Sequence, residues 1–185
     1  MTLVARMLAG PWGGGDALVI AALITAQPFF EWAFHMHVLH YRPLRVLGRT
    51  IDFELARKHR EHHADPADLG LVFVPLRSLV LLGGLGTVIC LTAFPTRAGA
   101  CTALSGAAVM LFVYEWTHYL IHSTYRPRTR LFTAIRRAHR LHHFRNEQYW
   151  FGVLSPAADV VLRTYPSPAH VPVSLTAKNL HGRDS

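Results

Sequence analysis

The stretch YEWTHYLIH, Tyr114–His122, closes a long apolar run, and AHRLHH, Ala138–His143, follows it after an arginine-rich linker. Together they decide how the chain is read, because the same order occurs earlier. FEWAFHMHVLH, Phe30–His40, closes another apolar run, and HREHH, His59–His63, follows it. The two Glu-Trp pairs are 84 residues apart and the two H-x-x-H-H strings 80 apart. A histidine-free linker of eighteen residues separates His40 from His59, and one of sixteen separates His122 from His139. The chain therefore contains two corresponding halves, each an apolar helix end followed by a basic linker and three histidines.

Composition points to a membrane. The chain has 185 residues, of which 51% are hydrophobic and only 16% charged, yet its net charge is +8. Thirteen of its nineteen Lys and Arg residues lie in two blocks, Arg42–Arg60 and Arg126–Arg145. Each block follows an apolar run, the pattern of cytoplasmic segments under the positive-inside rule. A nucleic-acid module would spread its charge over a soluble face with stacking aromatics, so no nucleic-acid partner is expected.

Three runs can cross a bilayer core, which takes about 17–25 helical residues: Ala17–Phe34, Ser78–Phe94 and Ala98–Tyr114. The expected fold is all-α, an integral membrane helical bundle of three to four spans with a histidine-rich cap on the cytosolic face. It is read as one domain over 1–185, with a core at about 16–166 and a polar tail at 167–185. Only Pro-Thr-Arg, Pro95–Arg97, separates the second and third runs, so they form a hairpin, which returns both histidine groups to one membrane face. The small residues of AGACTALSGAA, Ala98–Ala108, let helices approach closely. Cys90 and Cys101 are read as buried thiols, too few for a cysteine metal site.

Ten of the thirteen histidines fall into four groups: His35 and His40; His59, His62 and His63; His118 and His122; His139, His142 and His143. Neutral imidazole is the commonest metal ligand and suits Zn, Cu, Fe and Ni. In a helix, positions i, i+3 and i+4 lie within an arc of about 100°, so each H-x-x-H-H is expected to aim three rings at one point. His35 and His40, five apart, need an irregular helix end, for which Pro28 offers a cause. A structural zinc uses four ligands, so ten nitrogens imply two metal ions. His37 is a weaker candidate, and His170 and His181 are read as solvated tail residues. Glu31 and Glu115 sit at membrane ends of helices and either orient a ligand ring or stabilise the boundary. Tyr149, Trp150 and Phe151 either line a pocket or anchor at the interface. No zincin, flavin, nicotinamide or haem motif is present.

HREHHADPADLGLVFVP, YEWTHYLIH and AHRLHHFRNEQYWFGVLSPAADVVLRTYP together resemble the fatty acid hydroxylase / sterol desaturase superfamily of membrane di-metal oxygenases. The likeness covers residues 29 to 166 and leans to the fatty acid 2-hydroxylase branch, through Leu71–Pro75 and through Phe151, Gly152, Ser155, Pro156 and Asp159. The resemblance implies a lipid C–H hydroxylase using O2 and two metal ions, iron or zinc, held by the ten histidines. The substrate, a fatty acyl chain, would come from the bilayer, and electrons from a separate electron-transfer protein, because the fused haem domain of some relatives is lacking. Carotenoid or sterol hydroxylases and desaturases share such histidine groups, and a non-catalytic membrane metal-binding protein is the reading from another class.

Overall fold

The computed structural model describes residues 2–181; Met1 and residues 182–185, the end of the expected tail, lie outside the described residues. The described residues form helices and one small hairpin, joined by irregular segments. The elements are α1 (Thr2–Leu8), α2 (Gly14–Phe34), a π-helical turn (His35–Leu39), β1 (Leu44–Val46), β2 (Arg49–Ile51), α3 (Glu54–Ala64), α4 (Leu76–Ala93), α5 (Arg97–His122), α6 (Arg130–Phe144) and α7 (Ala157–Val161). Short 3-10 turns occupy Leu69–Leu71 and Pro168–His170.

Three segments are long and apolar enough to cross a membrane: Gly14–Leu39, Leu69–Ala93 and Arg97–His122. They cover the three expected runs, the second but for Phe94, and the protein is a multi-pass integral membrane protein. In α4 only Ser78 is buried, while Leu81 is 73% exposed. A water-soluble surface does not leave such an apolar face uncovered, whereas lipid tails cover it without cost.

The chain divides into two compact units. The first runs to Gln27 and adds Leu76–Tyr114. Within it, Arg6 is fully buried. Its guanidinium donates to both carboxylate oxygens of Asp16, at 2.9 and 2.6 Å, to Thr102 Oγ1, and to the carbonyls of Gly10 and Pro11. A buried charge persists only when paired and hydrogen-bonded in this way. The small residues of α5 pack as expected, with Ala100, Thr102, Ala103 and Ser105 buried. A Cβ added at Gly106 would lie 2.6 Å from Leu23 Cδ1 on α2. Cys90 and Cys101 are free thiols, partly rather than fully buried.

The second unit is Pro28–Pro75 with the chain from Glu115 onward, and holds all ten candidate histidines. Helix α6 begins at Thr129, whose hydroxyl accepts the Phe132 amide at 3.2 Å, as an N-cap does. One of its faces is buried: Ile135, Ala138, His139, His142 and His143. The hairpin β1–β2 lies in the first arginine-rich linker, with Val46 opposite Arg49. Leu47 and Gly48 turn it with φ of 50° and 76°, the positive values that a two-residue hairpin turn of the primed type demands.

Replacing Gly106 with Leu is expected to separate α2 from α5 and cost about 1–3 kcal/mol. Thermal unfolding of the purified protein in detergent measures this, and an unchanged Tm would show that the contact is dispensable.

Candidate metal centre

The ten histidines gather into two clusters of five: His35, His40, His59, His63 and His142; and His62, His118, His122, His139 and His143. Within each, one nitrogen per ring lies within 4.8 Å of all the others. His37 is exposed and packs edge-on to Trp32, outside both clusters. Neither H-x-x-H-H aims all three rings at one point, contrary to the sequence expectation. Successive residues turn by 100° in a helix, so i and i+4 project about 40° apart while i+3 stands about 60° to the other side. His59 and His63 therefore share one cluster and His62 turns to the other; His139 and His143 share one and His142 crosses over. The two triplets interlock, each supplying both clusters.

His35 and His40 meet for a different reason. The helix widens to a π turn, closed by the His40 amide donating to the His35 carbonyl at 3.1 Å. Its i, i+5 bond puts residues five apart on one face. The irregular helix end expected at His35 and His40 is this π turn, whereas Pro28, offered as its cause, lies inside α2.

The nitrogens approach as ligands of a common ion do. Nε2 of His59 is 3.1 Å from that of His35 and 3.2 Å from that of His63, and His142 and His40 are 3.2 Å apart. In the second cluster, His118 to His139, His143 to His139 and His62 to His122 measure 3.0, 3.0 and 3.2 Å. Two imidazole nitrogens about 2.1 Å from one ion fall roughly 3.0–3.4 Å apart at ordinary coordination angles. Tautomers make the same point. His35, His63 and His142 each donate Nδ1–H to a backbone carbonyl, of Phe151 at 2.6 Å, Ala177 at 2.8 Å and Tyr149 at 2.8 Å. That leaves three Nε2 lone pairs facing one centre, where they are placed to bind a cation. A backbone acceptor behind a ligand ring is the usual arrangement around a bound metal. Each cluster can hold a metal ion, and the all-imidazole donor set fits iron or zinc.

Residues 20–164 match the family model described as Fatty acid hydroxylase. The chain belongs to that family. Two Arabidopsis thaliana proteins named dihydroceramide fatty acyl 2-hydroxylase resemble it, FAH2 at 30% identity over 150 residues and FAH1 at 30% over 151, each match covering 80% of this chain and 61% of the relative. The fatty acid 2-hydroxylase of Homo sapiens is 24% identical over 143 residues, 76% of this chain and 38% of that protein. The chain thus spans about three fifths of the length of the plant relatives and less of the human one. A solved structure described as full-length scs7p, with only its hydroxylase domain visible, matches with a TM-score of 0.77 at 20% identity, over 94% of this chain and 65% of that one. It shows a shared fold.

In this fatty acid hydroxylase family member, the loop after α6 is the support behind the rings. Asp159, fully buried, accepts the Phe151 amide at 3.0 Å, the Gly152 amide at 2.7 Å and the Thr164 hydroxyl at 2.6 Å. Burial holds its carboxyl above the usual carboxylate range, although these three bonds act in the opposite direction. Trp150 and Phe151 are buried too, and the Phe151 ring lies 5.3–5.7 Å from the rings of His35, His40 and His142. Phe151 walls the site, while Trp150 packs with Ala138 and Val171. The segment read as a polar tail belongs to the same wall. Ala177 and Leu180 are buried, Ala177 supplies the His63 acceptor, and His181 Nε2 donates to the His40 carbonyl at 2.8 Å. His170 is exposed, as expected.

The two glutamates hold loops. Glu31 accepts the amides of Val153 and Leu154, the latter at 3.0 Å, and Glu115 accepts that of Val74 at 3.1 Å. Each Glu-Trp glutamate thus grips the loop that follows the other half's H-x-x-H-H. Boundary stabilisation is the closer of the two readings, exerted on loop amides.

Burial, and then the charge that neighbouring rings would carry, pushes His40, His59, His139, His142 and His143 well below the ordinary imidazole range. His62 falls to about 2, and His63 to about 3 although the Ala177 carbonyl pulls it upward. These rings are neutral in the folded chain, as metal ligands must be.

Two outcomes follow. A Cβ at Gly152 would overlap the Ser155 carbonyl and lie 3.0 Å from the Asp159 carboxylate, so Gly152→Ala should shift the Phe151 carbonyl from His35. Metal affinity should drop roughly 10–100-fold, read as metal content of the purified protein; full loading would show that the loop tolerates the change. Rings neutral when folded but protonating near pH 6.5 when unfolded make the unfolded state bind more protons below that pH. The metal-free protein should hold its Tm above about pH 6.5 and lose stability as pH falls toward the folded value of about 3 for His63, by up to ~1.4 kcal/mol per pH unit for each such ring. A Tm flat from about pH 7.5 to 5 would contradict neutral burial.

Proposed function

We propose that this protein is a membrane-bound di-metal oxygenase that hydroxylates a C–H bond of a fatty acyl chain, using O2 and electrons from a separate electron-transfer protein. The observation that carries this is the pair of five-imidazole clusters in a chain of the fatty acid hydroxylase family. His35, His40, His59, His63 and His142 would hold one ion, and His62, His118, His122, His139 and His143 the other. Iron is the metal proposed, because the reaction needs a redox ion and zinc has no redox chemistry. The relatives named as fatty acyl 2-hydroxylases support an acyl chain, attacked beside its carbonyl, over a carotenoid or sterol. A single catalytic domain is proposed over most of the chain, supported by the match at residues 20–164.

When bound, the metal pair supplies the activation of O2 that an unactivated C–H bond requires. One oxygen atom enters that bond, and the other leaves as water with two electrons and two protons. The chain's own residues do the rest. The carbonyls of Phe151, Ala177 and Tyr149 hold three rings in one tautomer and orientation. The fully buried His62, His63, His139, His142 and His143 keep bulk water from the reacting centre, which protects a reactive oxidant from side reactions. The apolar spans admit a substrate dissolved in the bilayer. The arginine-rich blocks beside both histidine groups are consistent with a cytoplasm-facing centre, where reductant is available.

Mass spectrometry of lipid extracts from cells with and without the protein tests this. A fatty acyl species heavier by one oxygen is expected with the intact protein and absent with His143→Ala, while His37→Ala retains it. An unchanged lipid profile from a metal-loaded, membrane-inserted protein would support the non-catalytic metal-binding reading instead.

A further inference from the structure

Beside the buried face of α6 lies a cleft of about 700 Å³ that the histidine chemistry does not use. One wall is a helical stripe, Arg130, Thr133, Arg137 and Leu141, and Arg128, Tyr165 and Ser167 complete the rim. Its chemistry is one-sided. The lining contains three arginines and no Asp or Glu. Among the described residues no carboxylate pairs with Arg128, Arg130 or Arg137; the ion pairs fall on Arg6, Arg57, Lys58 and Arg60.

A second observation is independent of these surface charges. Trp150 also lines the cleft and is 1% exposed. Its backbone takes φ 58°, with its N–H donating a hydrogen bond to the Thr164 carbonyl at 2.9 Å, a left-handed conformation that costs a bulky residue energy. Its indole adds a further N–H donor to a lining that already carries three guanidinium groups. Guanidinium and indole groups only donate. A concave set of donors without an acceptor carboxylate is built for an anion.

We infer that this cleft binds the phosphate-bearing headgroup of an anionic lipid. Its volume far exceeds one phosphate and leaves room for a headgroup against Trp150, Tyr165 and the three prolines 127, 166 and 168. Its concavity suits a small group better than the face of an acidic protein. The chain reaches this lining soon after a span: the last span ends at His122 and the lining begins at Pro127, so at most ~18 Å of chain intervenes. Basic recesses at this level are where anionic headgroups dock. The inference goes beyond hydroxylation and stands without it, because occupancy is read on metal-free protein.

The test is calorimetric titration of the purified, metal-free protein in an uncharged detergent. The probes are dihexanoyl phosphatidic acid, dihexanoylglycerol and inorganic phosphate. Phosphatidic acid is expected to bind, and dihexanoylglycerol to bind at least about tenfold more weakly. Arg137→Gln and Arg130→Gln, exposed positions that fold normally, should each weaken phosphatidic acid at least about tenfold. Arg57→Gln in the other basic block should leave it unchanged, and Trp150→Phe should weaken it roughly threefold to tenfold. Equal affinity for dihexanoylglycerol, or wild-type affinity in Arg137→Gln, overturns the inference. Inorganic phosphate binding as tightly as phosphatidic acid would leave an anion site and overturn the lipid as its ligand. A protein that binds phosphatidic acid but makes no hydroxylated lipid would sink the proposed function and leave this site standing.

Discussion

The structure turns on the convergence of ten imidazole nitrogens on two centres. Ten rings are brought to Nε2 separations of 3.0–3.2 Å, in surroundings too buried to let them protonate. Such an arrangement suits a cation between the rings, with acceptors behind them to hold the other nitrogen's proton. The carbonyls of Tyr149, Phe151 and Ala177 do this for His142, His35 and His63. They come from irregular backbone, because helical carbonyls are already occupied by helical amides. This is why the loop after α6 and the terminal segment, neither of which carries a ligand, are built as carefully as the helices.

That loop is itself over-determined. Asp159 gathers two of its amides and the Thr164 hydroxyl, and Glu31 takes the next two amides along. Trp150 keeps a positive φ within it. The terminal segment is clamped in turn: the Ser174 amide donates to the Arg145 carbonyl at 2.7 Å, and the Arg145 guanidinium to the Val171 carbonyl at 2.9 Å. Hydrogen bonds in so dry a region are strengthened by the low dielectric, and each would be costly to leave unmade. The carbonyls that hold the rings are thereby fixed without any side chain needing to touch a metal.

The internal repeat gains a physical meaning from the interlocking clusters. Neither half can complete a centre alone, since each triplet gives two rings to one cluster and one to the other. The paired glutamates cross over in the same sense, with Glu31 on the loop of the second half and Glu115 on the loop of the first. Exchange of this kind ties the assembly of one centre to the assembly of the other. It also explains why the Glu-Trp pairs recur in register with the histidines although they serve a different end.

By itself the sequence determined the membrane class, the three spans and the ten histidines. Apolar run length, charge placement and the recurrence of H-x-x-H-H are local properties, and each is written in residue identity. Tertiary structure alone decided how the rings divide. The 100° helical step sets the directions of His59, His62 and His63, but which centre each meets depends on the packing of α3 against its neighbours. The π turn that unites His35 with His40 is a backbone choice that no side chain announces. The Ala177 carbonyl was illegible for a plainer reason: every residue has one, so a ligand support built from main chain leaves no mark on the composition. The same holds for the segment read as a polar tail: of its apolar residues Ala169, Val171, Val173, Leu175, Ala177 and Leu180, only Val171, Ala177 and Leu180 are buried, and which of them meet the wall is decided by the wall and not by residue identity.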